Sequence, residues 1–232
     1  MFKLVLFDFD GTIFDSYEAI EHCATLTFEA LSQATAAPPK EELSRLISKG
    51  AALAEAFRQL HPDHAGFDPQ EWTRTYRGLY AVHGQALTRP YPGLRAVLDA
   101  LRAADVTVAI ASNKVFDSIK TALKRLDLLD YFPDPLIIGD TIDGSRRKPD
   151  PVSYTEVLLP RLKALYGADF ALRPDEVLMV GDTVTDIQYA RNIGVQVCWC
   201  RYGQGDHAEC EAARPEYTID ALVDVVGVVM GN

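Results

Sequence analysis

A chain of 232 residues, 48% apolar and 24% charged, has enough material to bury a full core as one large domain or two modest ones. Its formal charge of −10 repels phosphate backbones and anionic lipid, which argues against nucleic acid and membrane surfaces as partners. A small anionic substrate needs local positive charge, and with neither a transmembrane-length apolar stretch nor a signal peptide before the first strand, the expected setting is the cytoplasm.

The apolar run from Phe2 predicts a buried strand over Lys3–Phe7, and it leads directly into Asp8-Phe9-Asp10-Gly11-Thr12. Side chains two apart on a strand point the same way, which aims Asp8 and Asp10 at one spot beyond the carboxyl end of a sheet. Two carboxylates there repel unless a cation or a shared proton intervenes. Oxygen ligands favour magnesium as that cation.

Between Ser16 and Pro90 the pattern turns helical. Apolar residues at spacings of three and four predict helices over Tyr17–Gln33, Glu41–Lys49, Ala51–Leu60 and Gln70–Leu87, broken at Pro38-Pro39 and His61-Pro62. Residues 17–87 are therefore expected to form a compact helical insertion, with 1–16 and 88–232 making the remaining core. His22, His61, His64 and His83 fall in the insertion without metal-ligand spacing and read as surface or packing residues.

After Pro90 the rhythm changes again. Strands are predicted over Val106–Ala111, Pro135–Ile138, Val177–Val180 and Val195–Cys200, with a short one at Tyr217–Ile219. They alternate with helices over Leu94–Ala104, Val115–Leu126, Pro151–Leu165 and Val184–Ile193. Such alternation implies an α/β fold with a doubly wound parallel sheet that includes the first strand. The tail from Ala208 is expected to pack on that sheet as a final helix or strand.

Ligands of such sheets bind at the carboxyl edge, and the residues that follow the strands there are polar. Ser112-Asn113-Lys114 offers a hydroxyl and, at the following helix start, backbone N–H groups for phosphate oxygens; capping of that helix by Ser112 is the lesser reading and is compatible with the first. Lys148, before Pro149, offers a point charge, while Arg146 and Arg147 read as solvated. Asp182 takes the N-cap position of the helix from Val184, with Asp186 one turn on and on the same face.

Cys198, Cys200, His207 and Cys210 form a C-x-C-x6-H-x2-C string, for which zinc is one reading and a buried strand bearing two reduced thiols the favoured one.

Taken together, Asp8-Phe9-Asp10-Gly11-Thr12, Ser112-Asn113, Lys148-Pro149 and Gly181-Asp182 with Asp186 resemble, in order, the motifs of the haloacid dehalogenase superfamily. The chain is most similar to its phosphoglycolate phosphatase-like branch, and the insertion looks like that family's helical cap; Tyr202-Gly203-Gln204-Gly205 resembles a loop that borders the site in that branch, with a simple glycine turn the other reading. The resemblance implies a Rossmann-like core and a magnesium-dependent phosphatase of a small phosphorylated metabolite, with 2-phosphoglycolate the leading substrate. It implies that Asp8 is the nucleophile and becomes an aspartyl phosphate, while Asp10 exchanges the proton. Magnesium is then held by the Asp8 carboxylate, the Asp10 backbone carbonyl and Asp182, with Asp186 behind them or reaching through water. Ser112, the Asn113 amide and Lys148 hold the phosphoryl oxygens. Lys49, in the helix break Ser48–Ala52, is a candidate contact for a substrate carboxylate; an exposed helix-end lysine is the alternative. An acidic Asp10 points away from dehalogenases and phosphonate-cleaving enzymes, leaving a sugar phosphomutase and a non-catalytic receiver-like phosphate binder as alternatives.

Overall fold

The computed structural model describes residues 1–31, 42–43, 46, 53–60, 67–140 and 146–231. The strands among them are β1 (Leu4–Phe7), β2 (Phe14–Asp15), β3 (Arg89–Pro90), β4 (Thr107–Val115), β5 (Ile137–Asp140), β6 (Val177–Gly181), β7 (Gln196–Cys200) and β8 (Tyr217–Ile219). Six of them make one parallel sheet in the order β5-β4-β1-β6-β7-β8. The strand next in sequence after β1 within the sheet lies to one side of it and β6 lies to the other, so the direction of winding reverses at β1. A crevice opens at that reversal, beyond the carboxyl ends of the strands.

Burial on both faces explains the unbroken apolar character of β1 and β6. Successive side chains alternate across the sheet, and β1 divides accordingly: Val5 and Phe7 join one core with Ile110 and Val180, Leu4 and Leu6 the other with Ala111 and Met179. Helices α1 (Tyr17–Leu31), α2 (Leu53–Leu60) and α3 (Pro69–Leu79) belong to the segment between β2 and β3. On the first face of the sheet lie α4 (Leu94–Ala103) and α5 (Phe116–Arg125). On the second lie α6 (Leu159–Tyr166, entered through a π-helical turn at Ser153–Leu158) and α7 (Val184–Ile193), followed by α8 (His207–Ala212) with Cys210 in the same core. The tail ends in α9 (Val225–Met230), whose Val225 and Val229 return to the first face.

A third apolar cluster joins the helices of the insertion: Ala19, Cys23 and Phe28 of α1 pack with Phe57 of α2 and with Trp72 and Tyr76 of α3. The chain enters and leaves this helical layer through β2 and β3, which pair antiparallel with Asp15 opposite Arg89. α3 runs on through a π-helical turn at Tyr80–Gly84. Gly84 is required there, because a Cβ on it would lie 2.8 Å from the Tyr80 ring.

Several boundaries differ from the sequence reading. β4 continues through Ser112, Asn113 and Lys114 to Val115, with a register shift against β5 between Ala111 and Val115. α5 therefore begins at Phe116, and Ser112 is a strand residue rather than a helix cap. Pro135 lies in a short 3-10 turn over Asp134–Leu136, so β5 begins at Ile137; a fixed φ and a missing N–H suit proline to that position. The helix expected over 41–49 lies outside the described residues except at Glu42, Leu43 and Leu46, and so do Lys49, the break Ser48–Ala52, His61 and His64. His22 and His83 face each other edge to face, 6.2 Å apart.

Candidate active site

Three carboxylates meet at the carboxyl edge. Asp8 follows β1, Asp182 follows β6, and Asp186 comes from the first turn of α7; one oxygen of each lies within 4.8 Å of the others. Asp182 and Asp186 are fully buried, and Asp8 is 8% exposed. Lys148 reaches between two of them, with Nζ 2.8 Å from Asp8 Oδ1 and 2.6 Å from Asp186 Oδ1. Three carboxylates thus face one ammonium, a formal excess of two negative charges.

Removal from water penalises that charge. Burial pushes the Asp8 carboxyl up to about 6; Lys148 opposes the rise and Asp186 adds to it. Burial drives Asp182 well above the usual carboxylate range, reinforced by Asp186 and Asp8. Burial by itself lowers Lys148, but the Asp186 and Asp8 carboxylates outweigh it and hold its pKa above the usual value.

The orientation of Asp182 is fixed from several sides. Thr12 Oγ1 donates to its Oδ1 at 3.1 Å and the Gln204 N–H to its Oδ2 at 2.7 Å, while its carbonyl accepts from Trp199 Nε1 at 3.0 Å. These contacts take its carboxylate away from helix capping, and the N-cap of α7 is Thr183. Asp186 Oδ2 reaches back to accept from both the N–H and the hydroxyl of Thr183, at 3.0 and 2.8 Å. Gly11 and Gly203 permit the close approach: a Cβ at Gly11 would fall 2.1 Å from Asp182 Oδ2, and one at Gly203 would fall 2.2 Å from Asp182 Cβ. The loop Tyr202–Gly205 therefore borders the site, and the Tyr202 hydroxyl donates to Thr12 O at 2.8 Å.

Asp10 lines the same cavity but has its own cation. β1 ends at Phe7, so strand alternation does not set the direction of Asp8 and Asp10. Lys114 Nζ donates to Asp10 Oδ1 and Oδ2 at 2.9 and 3.2 Å, and also to Tyr80 Oη at 2.9 Å. Tyr80 Oη lies 2.7 Å from Thr88 Oγ1, so the helical layer is tied to Asp10 through a single lysine. Burial lowers the Lys114 ammonium, but Asp10 and Tyr80 raise it further, for a net increase.

Ser112 is buried beside this cluster, and its Oγ accepts from the Lys114 N–H at 3.3 Å. The Asn113 side chain is committed elsewhere: Nδ2 donates to Lys148 O at 3.1 Å, and Oδ1 accepts from Lys148 N at 2.7 Å. Asn113 thus clamps the loop that delivers Lys148 across to β4. The three carboxylates, Asp10, Ser112, Asn113 and Lys148 line one cavity of about 200 Å³.

Lys114, Tyr80, Arg77 and Arg147 also line this cavity, and Thr12 supports Asp182 from behind, though no sequence pattern assigns any of them a role. Arg147, read as solvated, instead pairs with Asp140 at 3.4 Å. A signal was available for two of them: Arg77 and Tyr80 are three apart on a helix and share a face. The cysteines make no common ligand set. Cys198 and Cys200 sit in the core on one face of the sheet, while Cys210 sits with Trp199 on the other, and the His207 ring packs edge to face on Trp199.

Comparison with known proteins places this architecture. The model of the haloacid dehalogenase-like hydrolases matches residues 5–200. The chain belongs to that family. A phosphoglycolate phosphatase from Nitrosospira multiformis is 31% identical over 222 residues, covering 92% of this chain and 91% of the relative. The pyrophosphatase PpaX of Halalkalibacterium halodurans is 28% identical over 228 residues, covering 97% and 95%. A solved haloacid dehalogenase-like family hydrolase from Streptococcus pneumoniae has the same fold, with a TM-score of 0.79 at 22% identity over 98% of each chain. The α/β core and the phosphatase class expected from the four motifs agree with these findings. No helix among the described residues is long and apolar enough to cross a membrane.

Proposed function

We propose that this member of the family is a magnesium-dependent phosphatase of small phosphorylated metabolites, acting through phosphorylated Asp8. The observation that carries the reading is the buried convergence of Asp8, Asp182 and Asp186 on Lys148 beside Ser112. The donor set fits a hard divalent cation: it is all oxygen, it carries excess negative charge, and Asp8 Oδ1 accepts no aligned hydrogen bond despite its ion pair. The Asp8 and Asp182 carboxylates and the Asp10 backbone carbonyl would hold the cation, with Asp186 behind them. When bound, it neutralises the carboxylates and polarises the phosphoryl group.

Asp8 attacks phosphorus, the bond to the leaving alcohol breaks, and Asp10 supplies the proton that the alkoxide takes up. Water then attacks the acyl phosphate and gives its proton to Asp10, releasing inorganic phosphate and restoring Asp8. Lys148 and Ser112 steady the phosphoryl oxygens as charge shifts between them, and Asn113 contributes its backbone N–H because its side chain is occupied. In the same proposal residues 17–87 form a cap over a core of 1–16 and 88–232, excluding bulk water from the acyl phosphate. The leading substrate is 2-phosphoglycolate, supported by the names of several relatives, and the setting is cytoplasmic.

Phosphate release from a panel of phosphorylated metabolites, with magnesium and with chelator, tests the reading. Release is expected only with the cation. Sugar phosphates that isomerise while free phosphate stays constant would instead identify a phosphomutase.

Asp10→Asn is expected to keep cation affinity, since the proposed contact is through the main chain. It should slow turnover by about 10²- to 10⁴-fold, most for esters with strongly basic leaving groups. Calorimetric titration showing that magnesium no longer binds would refute this division of labour.

The pH dependence has a definite sign. With the folded-state pKa of Asp8 raised from 3.8 to about 6, its contribution to stability is fully present below 3.8 and is lost as pH rises through about 6. Magnesium binds the ionised carboxylates and should reverse that loss. Thermal melts are expected to show a larger magnesium-induced rise in Tm at pH 7.5 than at pH 5; an equal rise at both would rule out these carboxylates as ligands.

A further inference from the structure

The cavity has a second charged end. Arg77 on α3 and Arg147, the residue before Lys148, both reach Oδ2 of Asp140 at the end of β5, at 2.6 and 3.4 Å. Two guanidiniums share one carboxylate oxygen, and Arg77 Nε is buried with no hydrogen-bond partner. Burial lowers the Arg147 pKa; Asp140 opposes that and Arg77 adds to it, as expected for a cation beside a like charge. Neither arginine touches the three-carboxylate cluster.

The two ends belong to one cavity of about 200 Å³, lined by Arg77 and Arg147 as well as by Ser112 and Lys148. Arg147 Nη1 also donates to Asn113 O at 3.2 Å. Asn113, next to Ser112, thus holds both Arg147 and, through its Oδ1, the Lys148 N–H at 2.7 Å. A ligand whose phosphoryl group lies against Ser112 and Lys148 needs only a short linker to reach the arginines.

We infer that Arg77 and Arg147 form a second anion subsite, selecting short phosphorylated compounds whose far end carries another anionic group. This rests on the phosphatase reading above. The group is a carboxylate or a second phosphate, because a guanidinium fork binds both. Arg77 belongs to the helical layer and Arg147 to the sheet edge, so an anion held between them is gripped from both sides. Asp140 keeps the two forks apart and aligned when no anion is there.

The test compares phosphate release from 2-phosphoglycolate, its carboxamide analogue and pyrophosphate by the magnesium-loaded protein. At least one of the two compounds that bear a second anionic group is expected to exceed the amide, whose far end is uncharged, in kcat/KM by about tenfold or more, and that advantage should shrink at high ionic strength. The better of the two identifies carboxylate or phosphate as the anion. Arg77→Gln and Arg147→Gln should each reduce the advantage by about tenfold, mainly through KM, with partial recovery in the lysine variants. The subsite is refuted if the native protein shows no advantage over the amide, a result that needs no variant to fold. It is also refuted if the glutamine variants lower release from all three compounds by one common factor. Should none of the three release phosphate, the phosphatase reading fails and the subsite falls with it; hydrolysis without preference overturns the subsite alone.

Discussion

Asp8→Asn is expected to lower phosphate release by about four orders of magnitude or more, as loss of a covalent nucleophile does. The same substitution should leave the protein at least as stable as the native chain in chelator. An amide of the same shape replaces a carboxyl that burial and Asp186 both disfavour as an anion, while Lys148 retains Asp186 at 2.6 Å. Phosphate release and thermal melts on one preparation separate these effects. Activity that survives in Asp8→Asn sinks the nucleophile assignment; lost activity with a collapsed Tm shows that folding, not chemistry, was removed.

Lys148→Met is the second large effect. The Lys148 side chain is 4% exposed and its ammonium is shared by Asp8 and Asp186, so its removal leaves both carboxylates buried without their cation. Breaking a buried pair from one side costs about 3–5 kcal/mol, a large share of the stability of a typical domain. In chelator the variant should melt far below the native protein, and magnesium should recover much of the difference by neutralising the same cluster. Turnover should remain low even then, because the phosphoryl oxygens have lost a donor. Denaturant titrations with and without magnesium decide the matter: a native-like midpoint in chelator means that Lys148 does not balance these charges.

The sheet was legible because its signal is local. Strands buried on both faces must be apolar throughout, and β1 and β6 are. The motif residues were legible because a parallel sheet brings all its carboxyl ends to one edge. Helix starts were harder, since each of the two misplaced caps depended on a distant partner. Asp182 is an acceptable N-cap by itself, but Thr12 and Gln204 take its oxygens first. Ser112 is equally acceptable, but β4 stays extended through a shift of register against β5. The Lys114–Asp10–Tyr80 contact and the Arg77–Asp140 pair join residues from separate elements, 104, 34 and 63 positions apart, and no spacing rule reaches so far.

The antiparallel pairing of β2 with β3 has a consequence for how such a chain diversifies. Asp15 and Arg89 stand opposite each other, so the ends of everything between them lie side by side. That stretch can lengthen, shorten or be exchanged as one contiguous piece while each strand of the large sheet keeps its neighbours. Change in what is recognised then needs no change in the scaffold that performs the reaction, and selection can act on the two almost independently.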